Sequence, residues 1–250
     1  MIRLSTALRN NIVGSTGVAA SFAGGVIDVY SGTQPATADA AATGTLLGRV
    51  SIASATYVAE TPASATITVA GASGSINTLN VGTFNIIPLG AVAFITDAAT
   101  TAQALCDAIN RNGIYRATVA SDVVTVIAPP GTGAAHNGLA LAATVTTLTA
   151  TSSGNITGGV AATAGLTFGV PASGTVSKSG VWSFAGVAAG TAGWFRMKAS
   201  AVDNNLATTT LVRLDGSVAT SGADMNLSNL TIAIGAPTTI DSLTITCPAS

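Results

Sequence analysis

The sequence predicts a mainly β protein: a discontinuous β-sandwich of the jelly-roll-like kind, with a short N-terminal helix and a small inserted α+β domain. Three observations predict it. Apolar residues fall in short runs that alternate with Thr, Ser or Asn, the period of a strand with one buried face. Only one long segment, Thr100–Asn112, carries a helical apolar stripe. The texture of the chain also changes near residues 60 and 162, and after the second change it returns to its first form.

The first dozen residues read as a short helix, with Leu4, Leu8 and Ile12 one turn apart and Gly14 as its stop. Val26–Tyr30 is a β-rich run after Gly24 and Gly25. Ser31–Asp39 is a loop by its Gly, Pro and Ser content, and Thr45–Ile52 is a second strand. From Glu60 to Ala162 aromatic residues nearly vanish while Thr, Val and Ile alternate. Ala65–Ala70 has strict period two, and Phe84–Ile87 and Val92–Thr96 are further strand candidates. In Thr100–Asn112, the side chains of Ala104, Leu105, Ala108 and Ile109 share a face, and Gly113 ends the helix.

Tyr115–Ala120 and Val123–Ala128 are strands joined at Ser121-Asp122. Pro129-Pro130-Gly131 breaks the pattern and Leu139–Thr149 resumes it. Beyond Gly165, Leu166–Phe168, Val181–Phe184 and Ala192–Lys198 are strands, the last two rich in aromatic residues. Thr208–Leu214 runs into Asp215-Gly216, a hairpin-turn dipeptide. Asn229–Ile234 and Ile240–Thr246 alternate on either side of Gly235-Ala236-Pro237. The predicted division is residues 1–59 with 163–250 as an outer sandwich, and residues 60–162 as the α+β insert.

Composition narrows the function classes. Only 8% of the 250 residues are charged and the net charge is −1, which excludes binding nucleic acid through a basic face. The mean hydropathy is +0.58, yet Gly, Ser, Thr or Asp interrupts every apolar run, so no membrane span is expected. The opening residues have no continuous apolar core of a secretory signal, which implies a protein made in a cytoplasm and not exported by the general route. Cys106 and Cys247 have no Cys or His neighbour at metal spacing; they read as reduced thiols, with a single disulfide as the alternative.

Catalytic patterns are weak. The one histidine, His136, would have to serve any Ser-His-Asp triad, and no Gly-x-Ser-x-Gly elbow accompanies it; it reads as a solvent-facing loop residue. Gly131-Thr132-Gly133 lacks the third glycine, following helix and later acid of a dinucleotide loop. Asp203, Asp215 and Asp224 are close in sequence, but each sits in turn-like surroundings rather than as a carboxylate pair. The expectation is a protein with no catalytic residue, no cofactor and no metal.

The aromatic residues suggest contact surfaces instead. In a strand, Trp194 shares a face with Arg196 and Lys198, while Phe195 shares the other with Met197. One of the two is therefore expected to face outward or into a subunit interface; with Trp182 and Tyr30 they are expected to be buried in the core or in such an interface, a sugar-stacking platform being the alternative. A surface of Thr, Ser, Asn, Gly and Ala is cheap to desolvate and suits packing against copies of itself.

Residues 3–15 and 24–48 (RLSTALRNNIVGS…GGVIDVYSGTQPATADAAATGTLLG), 189–204 (AGTAGWFRMKASAVDN) and 214–246 (LDGSVATSGADMNLSNLTIAIGAPTTIDSLTIT) resemble a family of small structural proteins of tailed bacteriophages and prophages. The middle of the chain, with TITV at 66–69 and VTVIAPPGTGAAHNG at 124–138, is similar to Ala/Thr-rich modules that recur in phage virion proteins. The resemblance implies a virion component synthesised in the bacterial host cytoplasm, and no catalytic residue comes with it. A capsid decoration or cement protein is expected, forming a symmetric homo-oligomer and contacting other virion proteins such as the major capsid protein. A tail, neck or fibre protein, or a carbohydrate-binding module at a receptor-facing tip, is the alternative.

Overall fold

A computed structural model describes residues 1–14 and 16–246. Cys247, one of the two cysteines singled out above, lies outside the described residues. Contacts divide the chain into two units, Met1–Glu60 with Ala162–Ser250, and Thr61–Ala161. The class is mainly β.

The chain opens with β1 (Arg3–Leu4), α1 (Thr6–Gly14) and α2 (Val18–Phe22), then β2 (Val26–Ser31) and β3 (Leu46–Ile52). The N-terminal helix is shorter than its apolar spacing predicts. Leu4 is drawn into a strand opposite Leu214, and Ile12 is exposed, so of the expected stripe only Leu8 is fully buried.

The second unit holds β4 (Ser64–Ala70), β5 (Ser75–Val81), β6 (Phe84–Asn85), β7 (Val92–Ala93), α3 (Ala98–Asn112), β8 (Arg116–Ala120), β9 (Val123–Ile127), β10 (Leu141–Thr146) and β11 (Thr149–Ser152). They form two four-stranded sheets, β10-β5-β6 with β7 also on β5, and β11-β4-β9-β8. Helix α3 starts where the Asp97 side chain accepts a hydrogen bond from the Thr100 amide. It ends at Gly113, whose φ of 76° is the left-handed conformation that glycine adopts without a Cβ penalty. Its buried Ala102, Leu105, Cys106 and Ile109 join Ile67, Val69, Ile76, Leu79, Val124 and Val126 in one core. Cys106 is a free, buried thiol there.

Strand β5 has no counterpart among the sequence expectations. Its buried residues Ile76, Leu79 and Val81 are not evenly spaced, because the register against β10 shifts at Thr144/Val145. A bulge of this kind breaks the period of two that would reveal a strand.

The chain then returns to the first unit with β12 (Thr167–Phe168), β13 (Thr175–Ser179), β14 (Trp182–Ala185), β15 (Gly190–Lys198), β16 (Arg213–Ala219), β17 (Met225–Leu227), β18 (Thr231–Ile232) and β19 (Pro237–Thr246). Seven strands close on themselves in the order β16-β15-β2-β3-β14-β19-β17 and back to β16. All neighbours in this barrel are antiparallel except β16 and β17. Its interior holds Ile27, Val29, Leu47, Val50, Trp182, Phe184, Phe195, Met197, Leu214 and Leu243. Closure leaves the seven strands without a free edge, while β1, β12, β13 and β18 add to the rim.

Asp215-Gly216, expected as a hairpin turn, lies inside β16 instead. Asp215 is held by Arg196 across the strand pair, and Gly216 is small because Phe195 lies against it. A Cβ at position 216 would stand 2.5 Å from Phe195 Cε1. Gly216→Ala should therefore lower the unfolding free energy by about 1–3 kcal/mol through overpacking. A denaturant midpoint equal to that of the parent protein would show that the ring yields without cost.

Candidate functional site: a buried charge ladder and an aromatic cleft

Strand register places charges of alternating sign side by side across five strands of the first unit. Arg3 on β1 lies opposite Asp215 on β16, Asp215 opposite Arg196 on β15, Arg196 opposite Asp28 on β2, and Asp28 opposite Arg49 on β3. Each residue occupies the outward-facing position of its strand, because its neighbours Ile27, Val29, Val50, Phe195, Met197 and Leu214 fill the barrel interior. Cross-strand neighbours of opposite charge are the favourable arrangement in a sheet.

The ladder is closely bonded. Arg196 grips Asp215 with two hydrogen bonds, both 2.8 Å. Arg49 reaches both oxygens of Asp28, at 2.7 and 3.1 Å. Lys198 Nζ, one pair of residues further along β15, lies 2.6 Å from Asp28 Oδ2, which also accepts from Asn205. Arg213 forms a second fork with Asp203.

Although these groups point away from the barrel core, Asp28, Arg196, Arg213 and Asp215 are completely buried. Two loops bond to the ladder and its flanking pair: in segment 32–45 Gln34 O accepts from Arg3, and in segment 199–212 Asn205 donates to Asp28 and Asp203 accepts from Arg213. The loops are joined to each other, with Ala42 N donating to Asn205 O and Thr208 N to Asp39 O. Asp39 in turn accepts from the Thr6 amide and hydroxyl at the start of α1. Arg49 alone among the bonded partners keeps much of its side chain, 40%, in solvent.

Burial and charge compete at each carboxylate. Burial pushes the Asp28 carboxyl up, but the bonds and charges of Arg49 and Lys198 outweigh it and leave Asp28 below the ordinary value of 3.8. Asp203 is likewise lowered, with burial opposed by Arg213 and the Asn205 amide. At Asp215 burial prevails over Arg196, and its carboxyl rises. Lys198 is lowered, because burial outweighs the pull of Asp28.

The four aromatic residues expected in the core or at an interface are all buried within the first unit. Trp182 and Phe195 line the barrel core, where Phe168 meets Trp182 edge-on at 5.2 Å. Trp194 and Tyr30 face outward, yet they stack on each other at 4.6 Å and 13° beside the ladder, with the Arg196 guanidinium 5.5 Å from the Trp194 ring. Neither Trp194 nor Phe195 exposes any surface. The alternation correctly separates their faces, but both faces are covered within one chain. Asp203 has the turn chemistry expected of it, accepting from the Asn205 amide, and also pairs with Arg213, whereas Asp215 lies in a strand as the partner of Arg196. Asp224 accepts from the amide and hydroxyl of Ser217. The sequence signal for the ladder was the recurrence of a charge at every second position, Arg196 and Lys198, within an aromatic strand.

The second unit contains a cleft of about 360 Å³ lined by Val81, Thr83, Phe84, Ile114, Tyr115, Pro129, His136 and Leu139, among others. Three rings run along it: Phe84 stacks on Tyr115 at 6.2 Å, and Tyr115 meets His136 at 5.6 Å. His136 is thus half-buried against an aromatic ring rather than a free loop residue, and its Nδ1 is buried with no hydrogen-bond partner. Among the described residues, no group of three His, Cys, Asp or Glu side chains could hold a metal ion. No helix among them is long and apolar enough to cross a membrane. No protein-family model, no curated protein and no solved structure matches this chain.

Proposed function

We propose that the protein is a non-enzymatic structural subunit of a tailed-bacteriophage virion, a capsid decoration or cement protein that assembles as a symmetric homo-oligomer on the major capsid protein. The observation that carries this reading is where the charge resides. The chain is poor in charge to begin with, and the ladder with its flanking pairs takes Asp28, Arg196, Lys198, Asp203, Arg213 and Asp215 out of solvent. Among the described residues, the charged residues most open to solvent are Arg9, Arg49, Asp97, Asp107, Arg111 and Asp241, with Arg3, Asp39, Arg116, Asp122, Lys178 and Asp224 half-buried. What is left is a surface of hydroxyls, small residues and single apolar side chains, which loses little when it is desolvated against another protein. On the first unit, Val187 and Ile234 are 60% and 72% exposed on segments joined by the Gly186–Ile234 bridge, an apolar spot on an otherwise weakly polar wall. Within this reading the outer unit grips the capsid shell and the insert projects or contacts a neighbour, and the sequence resemblance to virion proteins supplies the setting.

Sedimentation of the purified protein tests the assembly. Association through such a surface should persist when salt is raised to about 1 M, where the Debye length is only about 3 Å. Ile234→Asp should dissociate the oligomer while leaving the fold intact. A monomer at both low and high salt would overturn the proposal. Counting copies on purified particles separates the capsid role, with a copy number set by the shell lattice, from the few copies of a tail, neck or fibre part.

A further inference from the structure

We infer that the cleft of the second unit binds a neutral sugar ring, with Phe84 as the stacking face and His136 and Thr83 as its hydrogen-bonding rim. This goes beyond the assembly role and does not depend on it. The second unit has only three aromatic residues, Phe84, Phe94 and Tyr115, and the chain has one histidine. Two of those three rings and that histidine gather at one cleft. Tyr115 is nearly buried and fixes the row from behind, whereas Phe84 is 43% exposed and presents its ring to solvent. Among the described residues Phe84 is the one exposed aromatic ring; the others are buried or half-buried.

The chemistry of the lining selects the class of ligand. The cleft's volume, about 360 Å³, lies within the roughly 300–1,000 Å³ of small-molecule sites. No charged side chain lines it, so a phosphate, carboxylate or amine gains no ion pair there. Its apolar wall of Val81, Phe84, Ile114 and Leu139 suits the C–H face of a pyranose. Its polar groups sit beside that wall: the exposed Thr83, and the His136 imidazole whose Nδ1 lacks a partner. The exposed Thr83 hydroxyl and the half-buried imidazole are the groups that a ligand hydroxyl meets there.

Because His136 is the only histidine, its imidazole Cε1–H gives one signal in a carbon–proton correlation spectrum of the full chain. Titration with methyl α-glucoside, methyl β-galactoside, methyl α-mannoside and methyl N-acetyl-β-glucosaminide should move that signal saturably for at least one of them, in the millimolar range. Phe84→Ala should weaken the binding about tenfold, while Phe84→Tyr, which keeps the stacking face, should retain it. Thermal melts of both variants verify that they are folded. No saturable shift with any of the four glycosides, or an equal affinity in folded Phe84→Ala, would overturn the inference. Saturable binding of p-cresol or N-acetyl-proline amide in place of every glycoside would overturn it too, by making the cleft an apolar-ring or peptide site.

Discussion

Asp28→Asn should destabilise the first unit by about 3–5 kcal/mol, because it leaves Lys198 and Arg49 facing a neutral amide, one of them buried. The same carboxylate governs the acid limb of stability. Asp28 and Asp203 both titrate below their ordinary value of 3.8 in the folded protein. Each therefore contributes stability that is present above that value and is lost as the pH falls through the folded one. Asp215 is raised and works in the opposite sense, contributing stability at low pH that is lost as the pH rises through its folded value. Asp97 and Asp224 are lowered as well, so with four groups against one, denaturant unfolding followed from pH 7 downward should show stability falling below about pH 4. In Asp28→Asn that fall should be shallower, since one of the lowered carboxylates is gone. An unchanged midpoint at pH 7 together with an unchanged acid slope would mean that the ladder contributes nothing to the fold.

Phe195→Ala should be equally damaging, at about 3–5 kcal/mol. The ring is fully buried in the barrel and lies directly against Gly216, which has no side chain to move into the space. The cavity would therefore persist, and persistence of the cavity is what makes a large-to-small change expensive. The loss should appear as a lower denaturant midpoint in dilute protein, independent of protein concentration. If Phe195 acted instead as an interface residue, the variant would unfold like the parent and lose only its self-association. Measuring both quantities on one sample decides between these roles.

The contrast between these residues and the exposed Ile234 shows what an alternating pattern can reveal. Period two in Ala65–Ala70, Tyr115–Ala120 and Val123–Ala128 was sufficient to find β4, β8 and β9, because each has one buried face and a partner in register. Helix α3 was legible from its apolar stripe and its Gly113 stop, both local properties. Strand β5 was not, since its bulge displaces the buried positions. Asp215-Gly216 was misread for a related reason. The pair has the local chemistry of a turn, but a bonded arginine and a packed ring hold it extended.

The candidate sites were less legible than the strands. The row Phe84–Tyr115–His136 joins residues from β6, from the turn just before β8 and from the loop after Pro129-Pro130, and no spacing in the chain brings them together. By itself the sequence determined the mainly β class, the position of the one long helix and the scarcity of charge, because these depend on local period and composition. Only the tertiary structure decided that the outward faces of β2, β15 and β16 are interior. A strand's pattern records which residues share a face, but not whether a distant loop covers that face. The loops at 32–45 and 199–212 bond to a stripe of charge that is buried, and the cost of burying those charges is offset only by partners that strand register places alongside.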